Sequence, residues 1–211
     1  MLAMKENFGL YLILTAPRAG YEACAQAAVD CGVRYLQLRM KETPNTVLLK
    51  TAEALRAITR DTRTRLIIND HLAVAIEADA DGIHLGQTDP ALTEARKTWN
   101  VPGKIYGLST HNEEQATQAM ESAPGYIGVG PVFPTPTKAM HDPALGISET
   151  GRIMKASPLT SVAIGGIHAA NLPLLLEAGI HNFCVVRAVN NAADPLAAIR
   201  QLQKIREQHG F

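Results

Sequence analysis

Apolar residues follow two alternating patterns along the chain. Short apolar and β-branched runs predict buried strands, and longer segments with apolar residues every three or four positions predict helices. The predicted strands span Leu10–Thr15, Tyr35–Arg39, Leu66–Asn69, Gly82–Leu85, Ile105–Ser109, Tyr126–Gly130, Ser161–Gly165 and Asn182–Arg187. The predicted helices span Tyr21–Cys31, Asn45–Thr59, His71–Ala78, Ala91–Trp99, Asn112–Ser122, Ser148–Lys155, Ala170–Glu177 and Pro195–Gln208.

Capping residues support several of these helix boundaries. Asn112 and Asp194 stand where side chains accept hydrogen bonds from the first helical N–H groups. Gly32 and Gly179 stand where glycine ends a helix.

Eight strand–helix units in 211 residues average about 26 residues each, which suits a compact α/β fold of the (β/α)₈ TIM barrel type. We predict a single domain over residues 1–211, with a long active-site loop at about 131–146 that closes over substrate. The alternative is an open, doubly wound sheet. Closure is favoured because none of the predicted strands has the polar character of an edge strand.

Composition limits the class of function. The 20 Lys and Arg residues balance the 20 Asp and Glu residues, which argues against a dedicated nucleic-acid binder. No apolar run reaches the roughly 18 residues of a membrane span. Three cysteines without a C-x-x-C pair suit reduced thiols and a cytoplasmic location. We expect small-molecule substrates as partners, no nucleic acid and no membrane, and the sequence is compatible with a homo-oligomer.

Polar residues collect where the predicted strands end. In a barrel of parallel strands these ends form one rim, where the chemistry of such folds takes place. These polar residues are Gln37, Arg39, Lys41, Asn69, Asp70, His84, Gln87, Asp89, Ser109, Thr110, His111, Thr135, Thr137, Lys138 and Arg187. Gly165, Gly166 and Val186 stand at the ends of the last two predicted strands.

Each of these residues also has an ordinary structural interpretation. Asp70 and Asp89 could each cap the helix that follows, and His84 could be a hydrogen-bonded structural histidine. Lys41 and Lys138 could be solvated surface charges. Their convergence on one rim is what favours a ligand site.

The set has a consistent chemistry. Asp70 and Asp89 follow neighbouring strands, which lie roughly 5 Å apart, so the two carboxylates can share a Mg²⁺ ion. Arg39, Lys41 and Lys138 add positive charge for a polyphosphate. The turns after the last two strands are where these barrels bind a monophosphate. No nucleophile with a matching base is evident, which favours electrostatic stabilisation of a leaving group.

Several ordered motifs resemble the thiamine-phosphate synthase family over roughly residues 10–200. They are Q-x-R-x-K at 37–41, I-N-D at 68–70, D-G-I-H-L-G-Q-x-D at 81–89, G-x-S-T-H at 107–111, G-x-G-P-V-F-P-T-x-T-K at 128–138 and A-I-G-G-I at 163–167. The resemblance implies a Mg²⁺-dependent transferase with one ion per subunit. It implies that a pyrimidine diphosphate loses diphosphate to form a cation, which the nitrogen of a thiazole monophosphate, plain or carboxylated, then attacks.

The resemblance also implies roles for individual residues. Asp70 and Asp89 match the metal ligands, and the catalytic set is Arg39, Lys41, Ser109 and Lys138. The pyrimidine diphosphate site comprises Gln37, Leu38, Arg39, Met40, Lys41, Asn69, His84, Ser109 and Lys138. The thiazole phosphate site comprises Thr135, Pro136, Thr137, Gly165, Gly166, Val186 and Arg187. Arg187 stands where many family members carry serine.

Two other functions fit the same fold. Thiazole tautomerases lack the metal aspartates, so Asp70, Asp89 and the complete Q-x-R-x-K motif argue against them. A ligand-binding barrel without turnover is the non-enzymatic alternative, and the sequence lacks no catalytic position that would support it.

Overall fold

A computed structural model describes residues 5–135 and 143–211. Its strands are β1 (Leu10–Leu14), β2 (Tyr35–Leu38), β3 (Arg65–Asn69), β4 (Gly82–Leu85), β5 (Ile105–Thr110), β6 (Tyr126–Val129), β7 (Ser161–Ala163) and β8 (Phe183–Val185). Its helices are α1 (Tyr21–Asp30), α2 (Asn45–Thr59), α3 (Leu72–Glu77), α4 (Leu92–Thr98), α5 (Glu113–Ser122), α6 (Gly146–Ala156), α7 (Leu172–Glu177), α8 (Arg187–Asn190) and α9 (Pro195–Gln208). Every predicted element is present.

The strands form a closed barrel in chain order, which confirms the predicted fold and excludes the open sheet. Each strand pairs with its neighbours in parallel, and β1 pairs with both β2 and β8. Because all the strands run the same way, their carboxyl ends meet at one rim.

The prediction was wrong at the end of the last strand. Strand β8 ends at Val185, and Arg187 begins the short helix α8 instead of ending a strand. The amide of Asn190 explains the change, because it donates to the carbonyl oxygens of Ile13 and Val186 at 2.8 and 2.7 Å. Its side-chain oxygen also accepts from the backbone N–H of Thr15. These bonds tie α8 to the end of β1.

Two apolar layers hold the barrel together. Strand side chains that point outwards pack against the buried faces of the helices. In α2 that face carries Leu48, Ala52 and Leu55 at helical spacing. The interior layer is the cluster of Tyr11, Ile13, Tyr35, Ile67, Tyr126, Val162 and Cys184. Full burial of a large side chain contributes about 1.5–3 kcal/mol, so these layers supply most of the stability.

An ion cluster ties β3 to β4 at the amino ends of the strands. The Asp81 carboxylate accepts the backbone N–H of Leu66 at 2.9 Å. It also lies 3.5 Å from Arg56 and 3.3 Å from Arg65. Asp81 therefore lies at the end of β4 opposite to the rim, although it opens the motif that Asp89 closes.

The predicted helix caps are confirmed. Asn112 accepts from the N–H of Gln115, and Asp194 accepts from that of Ala197. Gly32 and Gly179 follow helix ends with positive φ angles of 65° and 78°, a conformation that costs glycine little.

Within the described ranges, none of the helices combines the length and apolar character needed to cross a membrane. Residues 136–142 of the predicted loop at 131–146 lie outside the described residues. The part of the loop before them is anchored by backbone bonds, because Val132 donates to Ile164 and Phe133 donates to Gly165.

Candidate active site

Strand β2 leads polar side chains from the barrel interior to the rim. Gln37 is buried inside the barrel, Arg39 just beyond the strand is half-buried, and Lys41 is exposed. Burial lowers the pKa of the Arg39 guanidinium, while the charge of Asp70 raises it. The Lys41 ammonium lies 3.6 Å from the Asp70 carboxylate. Arg39 and Lys41 therefore both lie near Asp70, as the order of the strand ends predicted.

Asp70 does not cap a helix. Helix α3 follows His71, and the structure has no side-chain hydrogen bond capping it in the described part of the chain. Asp70 has a positive φ of 61°, and its backbone N–H donates to the carbonyl of His84 at 2.9 Å. A non-glycine residue in the left-handed region is uncommon and such residues cluster at functional sites.

Asp89 is the second carboxylate of the rim. Helix α4 likewise has no side-chain cap among the described residues, and Asp89 instead accepts the N–H of Gly86 at 2.6 Å. Burial raises the pKa of the Asp70 carboxyl, and its hydrogen bond with Asp89 and the charge of that group raise it further, against the opposing effect of Lys41. The two carboxyl groups therefore face each other, which is costly without a bound proton or cation.

This donor set suits a divalent cation that binds substrate oxygens. The described ranges hold no cluster of three or more His, Cys, Asp or Glu side chains fit to bind a metal. Mg²⁺ commonly takes one or two carboxylates from the protein and completes its shell with water and phosphate oxygens. Asp70 and Asp89 meet that requirement.

Beneath the carboxylates lies a buried polar network. The Nε2 atom of His84 lies 2.9 Å from the Ser109 hydroxyl, and its Nδ1 atom lies 3.0 Å from the Tyr126 hydroxyl. Tyr126 bonds to the Tyr11 hydroxyl at 2.6 Å, and the amide of Gln37 donates to Tyr11 at 3.0 Å. Burial lowers the pKa of His84 to about 4, so its ring is neutral at pH 7.

His84 therefore fits both interpretations of the sequence. It is a hydrogen-bonded core residue, and it also contacts Ser109, a predicted site residue. Asn69 is buried at the end of β3 and pairs in register with His84. Gln87 donates to the backbone carbonyl of Ser109.

Two glycines shape the turn after β7. Gly165 and Gly166 have φ angles of 105° and 68°. An added Cβ at Gly165 would lie 2.5 Å from Pro131, and one at Gly166 would lie 2.7 Å from Phe133. The pair is thus more than a tight turn, since it lets the loop after β6 approach the loop after β7.

The remaining predicted residues divide into three groups. Thr135, Val186 and Arg187 lie in loops or helices at the ends of β6 and β8, with Arg187 exposed. The Leu38 side chain packs in the outer layer between sheet and helices, and Met40 packs against the same layer, so neither belongs to the barrel interior. Pro136, Thr137 and Lys138 lie outside the described residues.

The sequence analysis assigned no site role to Tyr11, Tyr126 or Gly107, and it placed His111 on the rim without a specific role. Tyrosines at inward-facing strand positions were the available signal for the first two. A Cβ on Gly107 would collide with the Tyr126 ring and lie 2.6 Å from His84 Nδ1, so this glycine makes room for their contact. His111 bonds through Nδ1 to the carbonyl of Gly130 at 2.8 Å.

Known proteins match this chain over most of its length. A family model described as thiamine monophosphate synthase matches residues 10–189. Thiamine-phosphate synthase from Vibrio campbellii is 39% identical over 197 residues, which cover 92% of this chain and 96% of that protein. Thiamine-phosphate synthase from Halalkalibacterium halodurans is 36% identical over 208 residues, which cover 97% of this chain and 98% of that protein.

A solved structure supports the same assignment. Thiamine phosphate pyrophosphorylase from Pyrococcus furiosus has a TM-score of 0.85 and 29% identity, covering 97% of this chain and 98% of that one. The family match spans most of the barrel, including both aspartates and the two cations that follow β2. The chain therefore belongs to the thiamine monophosphate synthase family and, as predicted, is an enzyme of that family.

Proposed function

We propose that the chain joins 4-amino-2-methyl-5-(diphosphooxymethyl)pyrimidine to 4-methyl-5-(2-phosphooxyethyl)thiazole, or its carboxylated form, giving thiamine phosphate and diphosphate. Family membership supports this reaction. The observation that carries the proposal is the convergence of Arg39 and Lys41 on the Asp70–Asp89 pair at the rim. A site built from two cations and two facing carboxylates suits a diphosphate that arrives with a divalent cation.

We propose further that Asp70 and Asp89 hold one Mg²⁺ ion. The cost of two facing carboxylates, reflected in the raised pKa of Asp70, supports a cation between them. When bound, Mg²⁺ supplies positive charge to the diphosphate oxygens.

The chain's own residues supply the remaining electrostatics. In the proposed reaction the carbon–oxygen bond to diphosphate breaks first, and negative charge grows on the departing group. Arg39 and Lys41 bind that group and stabilise its charge, and Lys138 is expected to add a third cation. The thiazole nitrogen then forms the new bond to the methylene carbon that diphosphate has left. Gln37 and Ser109 contact the pyrimidine diphosphate in this scheme.

The thiazole monophosphate is assigned to the opposite side of the rim. Gly165 and Gly166 allow close approach of the backbone, and Val186 and Arg187 follow the adjacent strand β8. Backbone N–H groups in such glycine turns are suited to phosphate oxygens. Thr135 belongs to the loop that packs on the two glycines, and Pro136 and Thr137 complete the proposed subsite.

The proposal is tested by mixing the purified chain with both substrates, in Mg²⁺ and in EDTA, and assaying thiamine phosphate. Product that requires the metal supports the synthase and its metal dependence together. Equal product in EDTA would leave the synthase standing and refute the metal. No product from folded protein would instead favour a tautomerase or a binding barrel.

A matched pair of variants tests the role of Asp70. Asp70→Asn removes the charge and keeps a residue that tolerates the left-handed backbone. We expect a loss of activity of at least about 100-fold, because metal binding supplies several kcal/mol of stabilisation to the transition state. Asp61→Asn is the control, since exposed Asp61 has the same φ of 61° and lies away from the rim. Equal activity in the two variants would contradict the assignment.

A further inference from the structure

The buried network below the rim is a single chain of hydrogen bonds. It runs from Gln37 through Tyr11, Tyr126 and His84 to Ser109, over distances of 3.0, 2.6, 3.0 and 2.9 Å. Its members come from five different strands, so only barrel closure brings them together. All but Ser109 are buried.

The chemistry of each group gives this chain one direction. The amide nitrogen of Gln37 can only donate, so the Tyr11 oxygen accepts from it. Tyr11 must then donate to Tyr126, because among the described residues its hydroxyl hydrogen has no other recorded acceptor. Tyr126 in turn donates to His84 Nδ1 for the same reason. With the Gln37 amide nitrogen facing the Tyr11 hydroxyl, any other arrangement leaves a buried hydroxyl hydrogen without a partner, which is unfavourable.

The state of His84 follows from this direction. A neutral imidazole carries its proton on one nitrogen, and Nδ1 is already an acceptor. The proton is therefore on Nε2, which donates to the Ser109 oxygen. The Ser109 hydroxyl hydrogen is left to point towards an acceptor, and within residues 5–135 and 143–211 no acceptor for it is recorded.

We propose that Tyr126 is a positioning residue that holds His84 in its Nε2–H tautomer and thereby presents Ser109 to the substrate as a hydrogen-bond donor. The role in catalysis rests on the proposed function. The acceptor would be an oxygen or ring nitrogen of the pyrimidine diphosphate. Gly107 makes this arrangement possible, because a Cβ there would occupy the space of the Tyr126–His84 contact.

The predicted tautomer of His84 can be tested on the wild-type protein alone. With ¹⁵N-labelled histidine, two-bond ¹H–¹⁵N spectra report which ring nitrogen of His84 carries the proton, and His84→Gln assigns the signals. We expect the Nε2–H tautomer. The Nδ1–H tautomer would overturn the proposal. The hydrogen bonds would then run in the reverse direction, with Ser109 donating to His84. This result does not depend on whether the chain makes thiamine phosphate.

Tyr126→Phe and its control Tyr35→Phe test whether Tyr126 holds the His84 tautomer and thereby supports catalysis. Each removes one phenol oxygen from the interior aromatic cluster, but the Tyr35 hydroxyl donates to Glu6 and takes no part in the chain. We expect Tyr126→Phe to mix the His84 tautomers and lower kcat/KM on the order of tenfold. Tyr35→Phe should leave both unchanged. Equal effects of the two variants on tautomer and kcat/KM would indicate a purely structural role and overturn the proposal.

A double-mutant cycle with Ser109→Ala shows whether Tyr126 acts through Ser109. If it does, Tyr126→Phe has little further effect on kcat/KM in the Ser109→Ala background. Fully additive losses would overturn the proposal. If no variant and no wild-type sample makes product, the proposed function fails, while the tautomer measurement still decides the direction of the chain.

Discussion

Two aspartates that share Arg56 allow a test of how burial sets the strength of an ion pair. Asp81 and Asp79 lie 3.5 and 3.7 Å from the Arg56 guanidinium, so their distances are nearly the same. Their exposures differ, since the Asp81 side chain is 12% exposed and that of Asp79 is 63% exposed. The same substitution, Asp→Asn, is made at each position.

The structure gives the expected magnitudes. In Asp81→Asn one oxygen becomes an NH₂ group, which must face either the Leu66 N–H or a guanidinium, because these donors approach the two oxygens separately. An unsatisfied buried donor costs about 1–3 kcal/mol, and breaking a buried charge pair costs about 3–5 kcal/mol. Arg56 still has Asp79 as an ionic partner in this variant. We therefore expect a loss of about 3 kcal/mol, where the two ranges meet. Asp79→Asn also weakens the 2.9 Å pair with Lys104, but the Asp79 carboxylate is mostly exposed, so the cost should be at most about 1 kcal/mol.

The assay is equilibrium unfolding in urea, with the free energies of unfolding compared at equal slope. The activity of folded Asp81→Asn should match that of the wild type, because Asp81 lies at the end of the barrel opposite to the rim. A loss in Asp81→Asn no larger than that in Asp79→Asn would refute the reasoning from burial. Loss of activity without loss of stability would show that Asp81 belongs to the site after all.

Two further predictions concern stability. A Cβ at Gly82 would collide with the carbonyl of Ile105. Gly82→Ala should therefore lower the free energy of unfolding in urea by several kcal/mol, as in other overpacked cores. Gly125→Ala is the control and should change stability little, because its Cβ would have its nearest neighbour at 3.5 Å. Burial lowers the pKa of His84 from 6.5 to about 4, so between these pH values the unfolded chain binds more protons, and stability that is present above pH 6.5 falls as the pH drops. We expect a loss of up to about 3 kcal/mol from this group over that window. His84→Gln should unfold with a shallower pH dependence, and an unchanged slope would count against a neutral His84.

The rim could be predicted from the sequence because it depends on strand ends. Each strand appears as a local apolar run, and the residues after it are read directly from the chain. Arg39, Lys41, Asp70 and Asp89 were placed together in this way, and the structure brings them together. Whether the two aspartates cap helices was open, because a cap depends on a side-chain direction that spacing does not encode.

Motifs were less reliable where one stretch serves two ends of the barrel. Residues 81–89 form one continuous motif, yet Asp81 anchors the amino ends of β3 and β4 while Asp89 faces Asp70 at the rim. A strand crosses the whole barrel, so residues at its two ends have unrelated environments. The short helix α8 was missed for a related reason, since its stabilising bonds from Asn190 reach back to β1.

By itself the sequence determined the order and type of the elements other than α8, the closed barrel and the charged residues of the rim. Those features depend on the period of apolar residues and on chain order, which are local properties. Only the tertiary structure decided the partners inside the barrel. Tyr11 and Tyr126 are 115 positions apart, and their bond exists because β1 and β6 face each other across a closed interior. The direction of a buried hydrogen-bond chain depends on every member at once, and no single segment of sequence contains it.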